Sequence, residues 1–114
     1  YPARVRPIKG RVILVEGIFD MLNLHDKGLT NAVCCFGTRN IDIDKLKLLK
    51  MQGVSAVDIL FDPDEAGQEA ALRIVEFCEI AELLSKNIKL PVQLGDAGAL
   101  NKQKVKDLKE RLYG

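Results

Sequence analysis

Hydrophobic positions along this chain come in two patterns, short unbroken runs and longer stretches spaced at three and four. Residues 11–15, RVILV, are apolar and β-branched and close at Glu16-Gly17, which reads as a buried strand. Ile18, Met21, Leu22 and Leu24 then recur at helical spacing as far as Lys27-Gly28, where Gly28 ends the helix. Residues 31–36, NAVCCF, form a second strand-like run stopped by Gly37-Thr38. Asp44 or Asp42 can cap the next helix, in which Leu46, Leu48, Leu49 and Met51 supply the apolar face before Gly53. A third strand over residues 55–61, SAVDILF, ends at Asp62-Pro63-Asp64. The longest helix is expected from Glu65 to Ser85. Ala71, Ile74, Cys78 and Ala81 make its stripe, and Leu72, Val75 and Leu83 widen it. A short strand over Ile88–Val92, a loop GDAGALN and a lysine-rich helix from Lys102 to Leu112 complete the chain.

Strand and helix thus alternate four times, and apolar strands joined by helical crossovers imply a parallel sheet covered on both faces. The pattern predicts a doubly wound α/β domain of about four parallel strands, with residues 1–10 a linker and residues 11–114 the domain. At 114 residues, 47% hydrophobic and 29% charged, the chain suits one soluble globular domain. No run approaches the roughly 18 apolar residues that a membrane span needs. The start, YPARVRPIKG, is basic without an apolar core and is no secretory signal.

Charge and cysteines narrow the chemistry. Cys34, Cys35 and Cys78 have no metal-ligand spacing, and one His without a CxxC excludes an ordinary zinc site. An odd number of thiols in apolar contexts suits a reducing cytoplasm. Net charge is +1, but Arg4, Arg6, Lys9 and Arg11 cluster without an acid. Lys102, Lys104, Lys106, Lys109 and Arg111 stand against Asp107 and Glu110. Such stretches could touch phosphates or be solvated faces. His25 belongs on a helix surface with no chemistry assigned, and Lys45, Lys47 and Lys50 on a solvated face.

Open parallel sheets bind ligands at the carboxyl ends of their strands. Glu16 follows the first strand, Asp62 and Asp64 the third, and Asp96 the fourth, so four acids converge on one edge. At strand spacing, Asp62 and Asp64 project to the same side. Like charges so close repel, and a hard divalent cation, Mg²⁺ or Mn²⁺, removes the conflict. The plain alternative is a turn in which Asp64 caps the next helix. A glutamate beside such a site can ligate the ion or act as general base or acid in phosphoryl chemistry. Gly17 lets the backbone turn sharply there. Gly37-Thr38-Arg39 could meet a phosphate through exposed amides and a guanidinium, or be an ordinary loop.

VEGIFDMLNLHDKGLTNAVCCFGT followed by ILFDPDEAGQEAA resembles the Toprim domain, shared by DnaG-type primases, topoisomerases and some nucleases. The words VEG-x-x-D, N-A-V, G-T and F-D-x-D-E-A-G are similar to bacterial and phage primases. The likeness runs from Arg11 to Leu100. It implies the compact, Rossmann-like Toprim fold, with Glu16 as the essential glutamate and Asp62 and Asp64 as metal-binding aspartates. Asp20 matches the acid after the glutamate motif, and Gly37 the glycine after the second strand. Asp96 matches the first acid of a later K-D-x-D-like element, from which this sequence departs at Gly98.

The resemblance further implies RNA primer synthesis on a single-stranded DNA template, with ribonucleotide triphosphates and Mg²⁺ (Mn²⁺ can substitute). A replicative helicase is an expected partner. The two ends of the chain read as cuts from a longer protein, so little priming is expected from this piece alone. A stand-alone Toprim nuclease using the same ions is the alternative. A non-catalytic nucleic-acid-binding Toprim fold is a third reading, opposed by the intact Glu16 and DxD.

Overall fold

The computed structural model describes residues 5–34, 43–88 and 100–113. Its elements alternate as the hydrophobic pattern requires: β1 (Arg11–Val15), α1 (Ile18–Asp26), β2 (Ala32–Cys34), α2 (Ile43–Met51), β3 (Ala56–Ile59), α3 (Glu65–Ile80), β4 (Leu84–Asn87) and α4 (Lys102–Tyr113). The four strands form one sheet in the order β2-β1-β3-β4, and every pairing is parallel.

Side chains alternate across the sheet, and so divide the core in two. Val12, Leu14, Val33, Val57 and Ile59 face one way and pack with Leu46 of α2 and Ala70, Ala71, Ile74 and Cys78 of α3. Ile13, Val15, Ala32 and Cys34 face the other way and meet Met21 and Leu24 of α1 and Val105 and Leu108 of α4. The fold is therefore doubly wound, with two helices on each face. Burial pushes the Cys78 thiol up to about 11, so it stays protonated at neutral pH. No helix among the described residues is long and apolar enough to cross a membrane.

The third helix and fourth strand depart from the sequence-based boundaries. α3 stops at Ile80, and β4 begins at Leu84 instead of Ile88. Glu82 breaks the helix with φ of 61°. Ala81 and Leu83 are buried just beyond the helix, so their apolar character continues the helical stripe without being part of it. β4 is an edge strand with alternately exposed and half-buried residues, which leaves no continuous apolar run to mark it. Of residues 88–92, Ile88 is a buried residue past the strand and the rest lie outside the described residues. Three helix faces are also narrower than expected, α1 among them, where Leu22 is exposed at 48%. Leu48 and Met51 of α2 and Leu72 of α3 are exposed at 57%, 82% and 60%, and Leu46 and Ile74 carry the packing.

A buried polar group holds the α1/α4 face together. Arg11 donates to both oxygens of Asp58, from Nε at 3.1 Å and from Nη2 at 2.6 Å. Tyr113 Oη donates to Asp58 Oδ2 at 2.9 Å, and Asn31 Nδ2 reaches Tyr113 Oη at 2.8 Å. Asp58 is fully buried in the middle of β3. The Asp58 hydrogen bond raises the Arg11 guanidinium above its usual value, and burial raises the Tyr113 hydroxyl far above that of a free tyrosine. Arg11, grouped by sequence with free basic residues, is committed to this ion pair. His25 is half-buried, and its Nε2 donates to the Ala32 carbonyl at 2.7 Å, tying α1 to β2.

Candidate functional site

The chain runs from β1 to β2 on one side and then crosses to β3 on the other, so the strand order reverses between β1 and β3. Such a switch point leaves a crevice at the carboxyl ends of the two strands, where the loops part in opposite directions. Glu16 is the first residue past β1, and Asp62 lies three residues past the end of β3. The Asp62 N–H donates to Glu16 Oε1 at 2.7 Å, which joins the two strand ends.

Asp64 takes a different role from the one its spacing suggests. Because β3 ends at Ile59, Asp62-Pro63-Asp64 lies in a loop, and the two-residue strand repeat does not apply to it. Asp64 is the N-cap of α3, and its Oδ1 accepts from the Gly67 N–H at 2.6 Å. The plain alternative for this residue is thus realised. It does not remove Asp64 from the site, because a carboxylate has two oxygens and accepts more than one bond.

Gly67 shows how closely the two acidic segments meet. A Cβ placed on it would lie 2.4 Å from the Asp62 carbonyl oxygen and 3.0 Å from both Asp64 Oδ1 and Glu16 Oε1. Three oxygens from two loops therefore crowd a single glycine. Glycine in a first helical turn costs roughly 1 kcal/mol against alanine. A glycine tolerated there, in Asp64-Glu65-Ala66-Gly67, is the sequence signal that could have pointed to this close approach.

Gly17 is the N-cap residue of α1 in extended conformation, without a side-chain cap. Asp20 sits in the first turn of α1, with Oδ2 3.6 Å from the point where a Gly17 Cβ would stand. Both α1 and α3 start at this edge, and their amino ends favour negative charge there. Gly37, Thr38, Arg39 and Asp96 lie outside the described residues. Among the described residues, no group of three or more His, Cys, Asp or Glu side chains is arranged to hold a metal ion.

Two residues of the site carried no sequence signal. Gln68 Nε2 donates to the Asp62 carbonyl at 3.0 Å, and Asn87 Nδ2, at the end of β4, donates to Gln68 Oε1 at 3.4 Å.

A doubly wound α/β domain with acids from its first and third strands meeting at the switch point is the class that fold and site define. The sequence model of the Toprim domain matches residues 10–92, and the chain belongs to that family. Over 81 residues it is 42% identical to a DNA primase of Chlamydia pneumoniae, which takes in 71% of this chain and 14% of the primase. The crystal structure of the Aquifex aeolicus primase, with its zinc-binding and RNA polymerase domains, matches 92% of this chain and 25% of its own length. That match has a TM-score of 0.78 at 31% identity. The DnaG primase catalytic domain bound to ssDNA matches with a TM-score of 0.74 at 25% identity, over 90% of this chain and 33% of that one. The chain thus spans a small part of the length of the primases it matches.

Proposed function

We propose that this domain supplies the acidic catalytic centre of a DNA primase, which makes RNA primers on single-stranded DNA by Mg²⁺-dependent nucleotidyl transfer. The observation that carries this reading is the hydrogen bond from the Asp62 N–H to Glu16, which brings the two acidic motifs of the family together at the switch point. The chain is 42% identical to a DNA primase over 81 residues, and one of the structural relatives is bound to ssDNA.

The donor set fits a hard divalent ion in its chemistry, since Glu16 and the Asp62-Pro63-Asp64 segment present only oxygen ligands. Glu16, Asp62, Asp64 and Asp96 are the residues that would hold it, with Mn²⁺ able to replace Mg²⁺. When bound, the ion would offset phosphate charge and ease deprotonation of the primer hydroxyl. Glu16 would also accept that proton. The amino ends of α1 and α3 favour the triphosphate of an incoming ribonucleotide. Gly37, Thr38 and Arg39 are the remaining candidates for phosphate contact, and Gly17 and Asp20 shape the edge beside Glu16.

The template strand and the ribonucleotides are the proposed substrates, and a replicative helicase the proposed partner. Cys34 and Cys78 are both buried and in no disulfide among the described residues, which suits a cytoplasmic setting. The domain alone is expected to prime little, because it spans so small a part of its relatives. Titration of the 114-residue chain with Mn²⁺, followed by NMR, tests the site. Broadening centred on Gly17 and Asp62–Glu65 is expected. Broadening confined elsewhere would refute the assignment.

A further inference from the structure

We propose that Gln68 is a positioning residue that sets Asp62 in place, through a polarised chain of amides running in from β4; its consequence for metal binding rests on the reading above. Both peptide units of Asp62 are gripped. Its N–H donates to Glu16 Oε1 at 2.7 Å, and its carbonyl accepts from Gln68 Nε2 at 3.0 Å. One strand end holds Asp62 from the front, and the first turn of α3 holds it from behind.

The chain of amides has one possible direction. A backbone carbonyl only accepts, so Gln68 must turn its NH₂ to Asp62. That leaves Gln68 Oε1 facing β4, so Asn87 must present its NH₂ in turn, as it does at 3.4 Å. The outcome is that Asn87 Oδ1 is buried without a hydrogen-bond partner among the described residues. Rotating the Asn87 amide would set its oxygen against Gln68 Oε1, and rotating both would set Gln68 Oε1 against the Asp62 carbonyl. A buried unsatisfied acceptor is unfavourable, and folded proteins keep few of them. Here the cost falls on Asn87, the far end of the chain, and every bond nearer to Asp62 is satisfied. Among the described residues this is the contact by which the edge strand β4 reaches the acidic site.

The test is amide hydrogen exchange in the metal-free 114-residue chain, residue by residue, with Mn²⁺ affinity measured on the same samples. Gln68→Met keeps length and loses both hydrogen bonds. Gln68→Glu keeps the acceptor for Asn87 but loses the donor to Asp62. Both variants should exchange the Asp62 N–H about tenfold faster, with the amides of β1 and β3 unchanged, because only the loop is loosened. Gln68→Met should also weaken Mn²⁺ binding about fivefold, since a looser ligand loop binds a hard ion less well. Unchanged Asp62 exchange in either variant would overturn the proposal, whatever the metal does. Faster exchange in a chain that binds no Mn²⁺ at all would uphold the positioning of Asp62 and refute the metal reading.

Discussion

Asp58 and Asp62 are four residues apart, on the same segment of chain, and their surroundings are opposite. Asp58 lies inside the sheet, fully buried, with Arg11 and Tyr113 on its oxygens. Asp62 lies beyond the strand, half-buried, with its backbone held by Glu16 and Gln68. A charge in the interior persists only when a partner and hydrogen bonds replace its water. The arginine and tyrosine on Asp58 are that replacement, and with Asn31 behind the tyrosine they lock α4 against β1 and β3. At the carboxyl edge Glu16 and Asp64 accept backbone N–H groups at the entry to α3, where the helix amino end favours negative charge. One arrangement consumes charge to make architecture. The other places charge where the proposed function needs it, at the carboxyl edge of the sheet.

The largest effect is expected where charge is architecture. Asp58→Ala leaves the Arg11 guanidinium and the Tyr113 hydroxyl without their acceptor, and should cost about 3–5 kcal/mol of stability. Urea unfolding of the domain measures it. A loss under 1 kcal/mol would mean that the network is not what holds α4.

Glu16→Gln is the converse change. The amide oxygen can still accept from the Asp62 N–H, so the fold should be unaffected, while the charge and the proton-accepting ability are lost. Primer synthesis by the full-length parent should fall a hundredfold or more, on the order of 3 kcal/mol of transition-state stabilisation. Binding of single-stranded DNA at fixed salt should change little, because it depends mainly on basic groups. Near-normal priming would reduce Glu16 to a connector between strand ends.

Gly67→Ala falls between the two regimes. The added methyl would stand 2.4 Å from the Asp62 carbonyl, a backbone atom that cannot swing away. The loop must shift, at about 1–3 kcal/mol. Thermal melting should show this moderate loss, and priming by the parent should fall further than the stability change explains. A variant as stable and active as the original would show that the loop adapts freely.

The smallest effect separates the two uses of Asp64. Asparagine caps helices as well as aspartate does, whereas alanine costs about 1 kcal/mol. Asp64→Asn should therefore melt like the wild type without metal, and Asp64→Ala a few degrees lower. In the parent, both should lose activity. If Asp64→Asn primes normally, capping is the whole role of this residue.

Much of this molecule follows from the order of its residues. The apolar runs at 11–15 and 31–36 and the helical spacing of Met21, Leu24, Ile74 and Cys78 led to a doubly wound parallel sheet. Period and composition are local properties that survive in any context. The meeting of Glu16 with the Asp62 segment at one edge of the sheet was equally legible, since both directly follow apolar runs. Tertiary structure alone decided what each acid does. Asp58 sits in an apolar run and reads as an interruption, and its partner Arg11 is 47 residues away and Tyr113 is 55. The end of α3 and the start of β4 depended on which apolar residues found the core, and Ala81 and Leu83 did so outside any helix. The hold of Gln68 and Asn87 on Asp62 is invisible for the same reason. A hydrogen bond between distant residues needs only a donor and an acceptor brought close, and polar side chains of that kind occur everywhere along a soluble chain.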